Sequence, residues 1–326
     1  MWRLLLCLLC VWMPPAAASE ASLPRADGTD LRVLVWNVSR QNFFDQAAGY
    51  AQVLRLARAD LWIFDEMPAD RSAADVQARL QQVFPGESWQ VSYGATGFGQ
   101  RSVLVARSPW TPVPEFERLR YPKSLVRKLR ALPLTPEQHR RLMADAAEGV
   151  AVHAALTALD GRITLVVGVD LQCCGDRPDS IEEQRRLVET QLIREAIERV
   201  LRRTRVDAVI VGGDFNTTQG RAPLQRVQGP AGTRWHLDVA ESRHPDGLDW
   251  TWDGRGTVYP SKKLDYLLFS AALKVRAARV FDSESSAQSE RAAWGLAVEA
   301  LRPLSEHRPQ IVDLAWRKGH EVASAR

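Results

Sequence analysis

The sequence predicts an α/β fold. Short runs rich in β-branched and other apolar residues recur along the chain, and most end on a polar or acidic residue. Segments with helical amphipathicity separate several of them. The composition, 45% hydrophobic and 25% charged over 326 residues, is globular and gives enough chain to bury a core. There is no internal repeat and no low-complexity tract.

The first run, LRVLVWN at 31–37, reads as a strand buried on both faces. Asn42 then reads as the N-cap of a helix with Phe43, Ala47, Tyr50, Ala51, Leu54 and Ala57 along one side. DLWIFDE at 60–66 is the next strand, followed by a helix near 71–83 and strands at 89–94 and 101–106. Residues 150–156 and 163–170 form a hairpin turned at Asp160-Gly161. Residues 181–203 form a long helix with Val188, Leu192, Ala196 and Val200 stacked at four-residue spacing. The last strands are expected at 207–216, 264–270 and 308–314.

Residues 108–149 differ in character. They are rich in Pro and Arg, and Arg118, Arg120, Lys123, Arg127, Lys128 and Arg130 lie close together. This reads as an inserted helical or loop segment with a solvated basic face, and a flap over an anionic substrate is the functional alternative.

At the N-terminus, Arg3, the apolar stretch Leu4–Met13 and the Ala16-x-Ala18 site form a secretory leader pattern. Cleavage after Ala18 is expected, giving a secreted or periplasmic monomer with no stable membrane span. Losing Arg3 takes the net charge from +4 to +3. That permits polyanionic partners without demanding them. The cysteines left, Cys173 and Cys174, are neighbours, so no long-range disulfide framework exists. A vicinal disulfide and a free thiol pair both remain open.

The expected strand ends share one chemistry. Asn37, Glu66 and Asp170 each close a strand, and Asp214 and Asn216 follow Gly212-Gly213. Asp265 opens a late strand, and Glu306-His307 precedes the last one. Ligands of α/β sheets bind at strand ends. So many carboxylates call for a neutralising cation, and Mg²⁺, which takes oxygen ligands, is the natural choice, with Mn²⁺ as substitute. His307 supplies a group that titrates near neutrality. The glycines are expected to let the backbone turn sharply beside a phosphate. Strand alternation puts Asp214 and Asn216 on one side and turns Asp65 away from Glu66.

The order Trp36-Asn37, Asp65-Glu66, GGDFN at 212–216, Leu264-Asp265-Tyr266 and Ser305-Glu306-His307 resembles the endonuclease/exonuclease/phosphatase superfamily across roughly 30–315. Each motif alone is weak, whereas five in order are a strong signal. The resemblance implies a DNase I-like four-layer α/β sandwich, with two mixed sheets face to face and helices outside. It implies a domain at 30–318 followed by a tail at 319–326. It also implies that Glu66, with Asn37 and Glu306, holds the metal. Asp214 would activate water, Asn216 would hold a phosphate oxygen or support Asp214, and Asp265 would orient His307 for proton transfer. Known members include DNase I-like and abasic-site nucleases, inositol-phosphate phosphatases and neutral sphingomyelinases.

Three departures stand out. Glu306 replaces the family's usual Asp, and Asp65 its usual Gln. Asp170 stands where many nucleases and sphingomyelinases carry a second histidine, so Asp170, Gln172 or Tyr93 would contact substrate there. The function implied is an exported metal-dependent phosphodiesterase, nuclease-like, acting on a phosphoester substrate such as nucleic acid. The alternatives are a sphingomyelinase or inositol-phosphate-type phosphatase, and a degenerate member that binds phosphate without cleaving it.

Overall fold

The structure, a computed structural model, describes residues 22–175 and 177–318. The expected leader at 1–18 and the expected tail at 319–326 lie outside the described residues. In chain order the elements begin with β1 (Leu31–Asn37), α1 (Asn42–Asp45), α2 (Ala47–Ala57), β2 (Leu61–Pro68), α3 (Ala73–Val83), β3 (Gln90–Tyr93) and β4 (Gln100–Ala106). There follow β5 (Thr111–Pro112), α4 (Lys123–Arg130), α5 (Pro136–Glu148), β6 (Val152–Leu159), β7 (Arg162–Asp170), α6 (Ile181–Arg203) and β8 (Ala208–Asp214). The chain closes with α7 (Ala222–Gln228), β9 (Leu237–Val239), β10 (Asp265–Ser270), β11 (Leu273–Val280), α8 (Gln288–Trp294) and β12 (Gln310–Trp316).

The strands form two six-stranded mixed sheets, ordered β11-β12-β1-β2-β4-β3 and β5-β6-β7-β8-β10-β9. Each sheet has one parallel pair at its centre, β1 with β2 joined through α1 and α2, and β7 with β8 joined through α6. The inward residues Val33, Val35, Ile63, Leu104, Val166, Ile210, Leu267 and Val312 interlock between the sheets. The outward residues of the first sheet, such as Leu34 and Trp62, pack with Tyr50, Leu54 and Leu80 of α2 and α3. Those of the second, Val167 and Val211, pack with Ile193 and Ile197 of α6. The result is the expected four-layer α/β sandwich.

Alternation between the inner and outer cores explains the site's position. The last inward residues of the central strands are polar: Asn37, Asp65, Asp170, Asp214 and Asp265 lie in one register, with Asn37 opposite Asp65 and Asp214 between Asp170 and Asp265. The apolar inner core therefore ends on a floor of amide and carboxylate groups.

The glycines of the GGDFN motif have a different role from the one expected. Gly212 faces the opposite sheet, and a Cβ there would lie 2.9 Å from Val35 Cγ2 and 3.0 Å from Ile63 Cδ1. Gly213 has φ +135°, and its Cβ would meet Val169 O at 1.9 Å. Both lie within β8, where they let the two sheets and strands β7 and β8 approach beneath Asp214. Gly212→Ala is expected to cost about 1–3 kcal/mol by overpacking. Gly213→Ala should cost more, because backbone must move. Urea unfolding of both variants checks the order.

Other local expectations need correction. Asn42 lies inside the short α1 rather than capping a longer helix, and the chain kinks at Gln46 before α2. Its side-chain amide donates to Leu304 O instead. Segment 108–149 contributes β5 to the second sheet and packs Phe116, Leu125 and Leu129 onto that sheet's outer core. Its cluster of Arg and Lys side chains is exposed. Cys173 and Cys174 form a vicinal disulfide. No helix among the described residues is long and apolar enough to cross a membrane.

Candidate active site

His307 lies just before β12, on the loop that Ser305 ties down: Ser305 Oγ donates to Asn37 O (2.8 Å) and accepts from His307 N (2.9 Å). Trp36 Nε1 donates to His307 O (3.0 Å), so the first motif buttresses the last. Fully buried Arg308 clamps the same loop through Ser305 O, Asp253 and Asp282. With the backbone so held, His307 Nδ1 donates to Asp265 Oδ2 (2.8 Å), and Nε2 faces Asp214 Oδ2 at 3.9 Å. The ligand atoms of Asp214, Asp265 and His307 lie within 4.8 Å of one another.

Asp214 is oriented from its far side. Asn216 N donates to Asp214 Oδ1 (2.8 Å), and Asn216 Nδ2 donates to Leu171 O (2.9 Å). Asn216 reaches this position through φ +48° after β8 has ended, not by strand alternation. Fully buried Arg186 of α6 supports the two loops involved. It donates to the carbonyls of Gln172 and Cys174 and to Thr218 Oγ1.

On the other sheet, Glu66 has φ +53° at a break in the β2–β4 register between Phe64 and Met67. This bulge swings Glu66 back over the strand end, where Oε1 accepts from Asn37 Nδ2 (3.1 Å). Asp65 is the surprise. Expected to face away from Glu66, it instead continues the inward series of Leu61 and Ile63, because it is Glu66 that leaves the alternation. Asp65 is fully buried, and one oxygen of each of Asp65, Asp170 and Asp214 lies within 4.8 Å of the others. Gln100 Nε2 donates to Asp170 Oδ2, and Gln100 Oε1 accepts from the exposed Arg40 (3.2 Å), whose Nε lies 3.5 Å from Glu66 Oε2.

The structure thus brings together Asn37, Glu66, Asp170, Asp214, Asn216, Asp265 and His307. It does not bring in three others. Exposed Glu306 accepts from Trp252 Nε1 (3.3 Å), at the base of the 252–262 hairpin. Tyr93 packs on the outer face of the first sheet and donates to Pro68 O (2.5 Å). Gln172 turns its amide to Cys173 O. Trp252 lies half-buried beside His307. His153 pairs with Ser92, and burial lowers its pKa to about 4. Sequence reasoning missed Asp65, whose only signal was a second acid beside Glu66, and Gln100, which had none.

The acids and His307 perturb one another. Burial, followed by repulsion from Asp265, raises Asp214 to about 7, although His307 opposes the shift. Burial also pushes Asp65 and Asp170 well above the usual carboxylate range. Burial alone would lower His307, but Asp265, Asp214 and Glu66 outweigh it and raise it to about 10. The cation-free folded chain therefore retains protons that the unfolded chain releases near 3.8 and 6.5. The stability these groups contribute should fall as pH rises between about 4 and 10, opposed below 6.5 by buried His153. Denaturation in chelator at pH 5 and pH 9 checks the direction, and a divalent cation should reduce the fall.

The oxygen-rich donors fit a hard divalent cation. Glu66 and the Asn37 side-chain oxygen present such groups, and Asp265 Oδ1 is buried without a partner. The sequence model of the endonuclease/exonuclease/phosphatase family matches residues 34–294. The chain belongs to that family. No curated relative matches it significantly. Among solved structures, an endonuclease/exonuclease/phosphatase from Bacteroides vulgatus is similar at 16% identity and TM-score 0.54, covering 89% of this chain and all of that one (100%). Humanized TDP2 of D. rerio is similar at 15% identity and TM-score 0.52, covering 87% of this chain and 98% of that one. A family protein from Beutenbergia cavernae has 17% identity and TM-score 0.53, covering 88% and 72%. At these identities the structural likeness concerns the fold, which is the DNase I-like sandwich.

Proposed function

We propose that this chain is an exported, divalent-metal-dependent phosphodiesterase of nuclease type. The observation that carries the reading is His307 locked by Asp265 and aimed at Asp214 beside the Glu66–Asn37 pair. Asp214, which burial raises to about 7 in the cation-free chain, accepts a proton from the attacking water as the P–O bond to the leaving alkoxide breaks and solvent protonates that alkoxide. The Asn216 backbone N–H holds the receiving carboxylate in place. His307, kept protonated by Asp265, donates to a non-bridging phosphate oxygen and steadies the charge that develops there. Arg40, exposed above Glu66 and Gln100, meets the phosphate at the rim. Glu66 and Asn37 would hold Mg²⁺ or Mn²⁺, which supplies Lewis-acid neutralisation of the phosphate charge. Glu306 joins only if its side chain leaves Trp252.

The leader pattern supports export, and the exposed Arg and Lys side chains of 108–149 support a polyanionic substrate. A second reading has its own observation. The hairpin beside His307 carries Val258 (90% exposed) and Tyr259 (68% exposed), an apolar tip suited to a phospholipid headgroup phosphodiesterase of sphingomyelinase type. The test is nicking of supercoiled plasmid with Mg²⁺ and with EDTA, beside sphingomyelin vesicles. Metal-dependent nicking supports the nuclease. Vesicle cleavage alone supports the second reading. Neither, with tight phosphate binding, leaves a degenerate binding protein.

A further inference from the structure

The second sheet and β2 place an acidic group that the reading above uses only through Asp214. Asp65 of β2, Asp170 of β7 and Asp214 of β8 come from different strands and both sheets. They are 0%, 6% and 3% exposed. One oxygen from each lies within 4.8 Å of the others. An ion with metal–oxygen bonds of about 2.0–2.6 Å holds its ligand oxygens at most about 4–5 Å apart. The spacing therefore suits one hard cation taking one oxygen from each residue.

Acidic clusters are common without ions, but this one contains an unpaid cost. Both carboxylate oxygens of Asp65 are buried with no hydrogen-bond partner. No Lys or Arg pairs with Asp65 or Asp170 among the described residues, and the one donor to Asp170 is the neutral Gln100 amide. Ser102, inward on β4 and against Gly168 two residues before Asp170, also has a buried hydroxyl without a partner. Buried carboxylates with neither hydrogen bonds nor counter-charge are strongly unfavourable unless a cation or a proton joins them. A resident cation would satisfy Asp65, Asp170 and Asp214 together.

We propose that Asp65, Asp170 and Asp214 form a binding site for a second hard divalent cation of the Mg²⁺/Mn²⁺ type, beneath the Glu66–Asn37 position and sharing Asp214 with the water-activating group. The site depends on two positions where this chain has Asp, so it is a property of this sequence rather than of the sandwich. It concerns ion binding alone, and its test is independent of whether the hydrolytic reading survives.

The experiment is equilibrium binding of Mn²⁺ to the metal-stripped full chain without substrate, followed by electron paramagnetic resonance of free Mn²⁺. The expected result is two ions per chain in the wild type. Asp65→Asn and, separately, Asp170→Asn should each remove one ion or weaken it at least tenfold. Glu66→Gln should remove the other and leave this one. Thermal melting gives a second readout that does not need stoichiometry. In chelator Asp65→Asn should melt above the wild type, because the cost of either burying the unpaired carboxylate or keeping it protonated is gone, and in Mn²⁺ the order should reverse. If Asp65→Asn fails to fold, Asp170→Asn carries the same comparison. The proposal is overturned if both Asn variants bind Mn²⁺ with wild-type stoichiometry and affinity, or if Mn²⁺ raises the melting temperature equally in all of them.

Discussion

His307→Ala is expected to lower phosphodiester turnover by about 10²–10³-fold, the usual worth of a preorganised donor to an oxygen on which charge develops. The side chain is almost fully buried, and its loss leaves Asp265 without its imidazole partner. Some stability will therefore go with it, on the order of 1–3 kcal/mol for a buried acceptor left unsatisfied. Asp265→Asn separates the two effects. Asn keeps the shape and a polar contact to Nδ1 but removes the carboxylate whose attraction, with Asp214 and Glu66, holds His307 at about 10. Turnover in Asp265→Asn should fall less than in His307→Ala, and its alkaline limb should move to lower pH. A pH–rate profile of both variants beside the wild type checks this. An unshifted limb in Asp265→Asn would mean that His307 is not the group titrating.

Glu66→Gln should have the other large effect. Gln preserves length and still accepts from Asn37 Nδ2, so the bulge at Glu66 is kept. It loses the charge that makes the group a ligand for a hard cation. The Mg²⁺ concentration for half-maximal turnover should rise at least about 10–100-fold, the range found for perturbing even the residues behind a metal ligand. Stability in chelator should hold or rise slightly, because one of several mutually repelling acids is removed. Metal titration of turnover, with thermal melting in EDTA alongside, measures both.

The five central strands were readable because burial on both faces writes near-continuous apolar runs, and the polar residue ending each run marks where the core stops. The α6 boundaries were readable from Ser180, which caps it, and from its apolar spacing. Edge strand β11 was not, because Lys274, Arg276 and Arg279 make an exposed strand resemble a loop. The short β9 and α7 carry too few residues to show a period. Within the site, Asp65 was misassigned for a specific reason. Strict alternation holds only in an unbroken ladder, and the bulge that turns Glu66 toward Asn37 has no signature in the letters DEMP. Glu306 shows the converse. Its motif is plain in sequence, but its side chain follows the Trp252 indole, a contact set by the hairpin's fold.

The most direct measurement is hydrolysis of bis(p-nitrophenyl) phosphate in ¹⁸O-water by the purified chain, with Mg²⁺ or with EDTA, beside His307→Ala. The account predicts Mg²⁺-dependent turnover, ¹⁸O in the phosphate product and none in nitrophenol, and loss of that turnover in the variant. Turnover indifferent to EDTA or to His307, label in nitrophenol, or no turnover of any phosphodiester would contradict it.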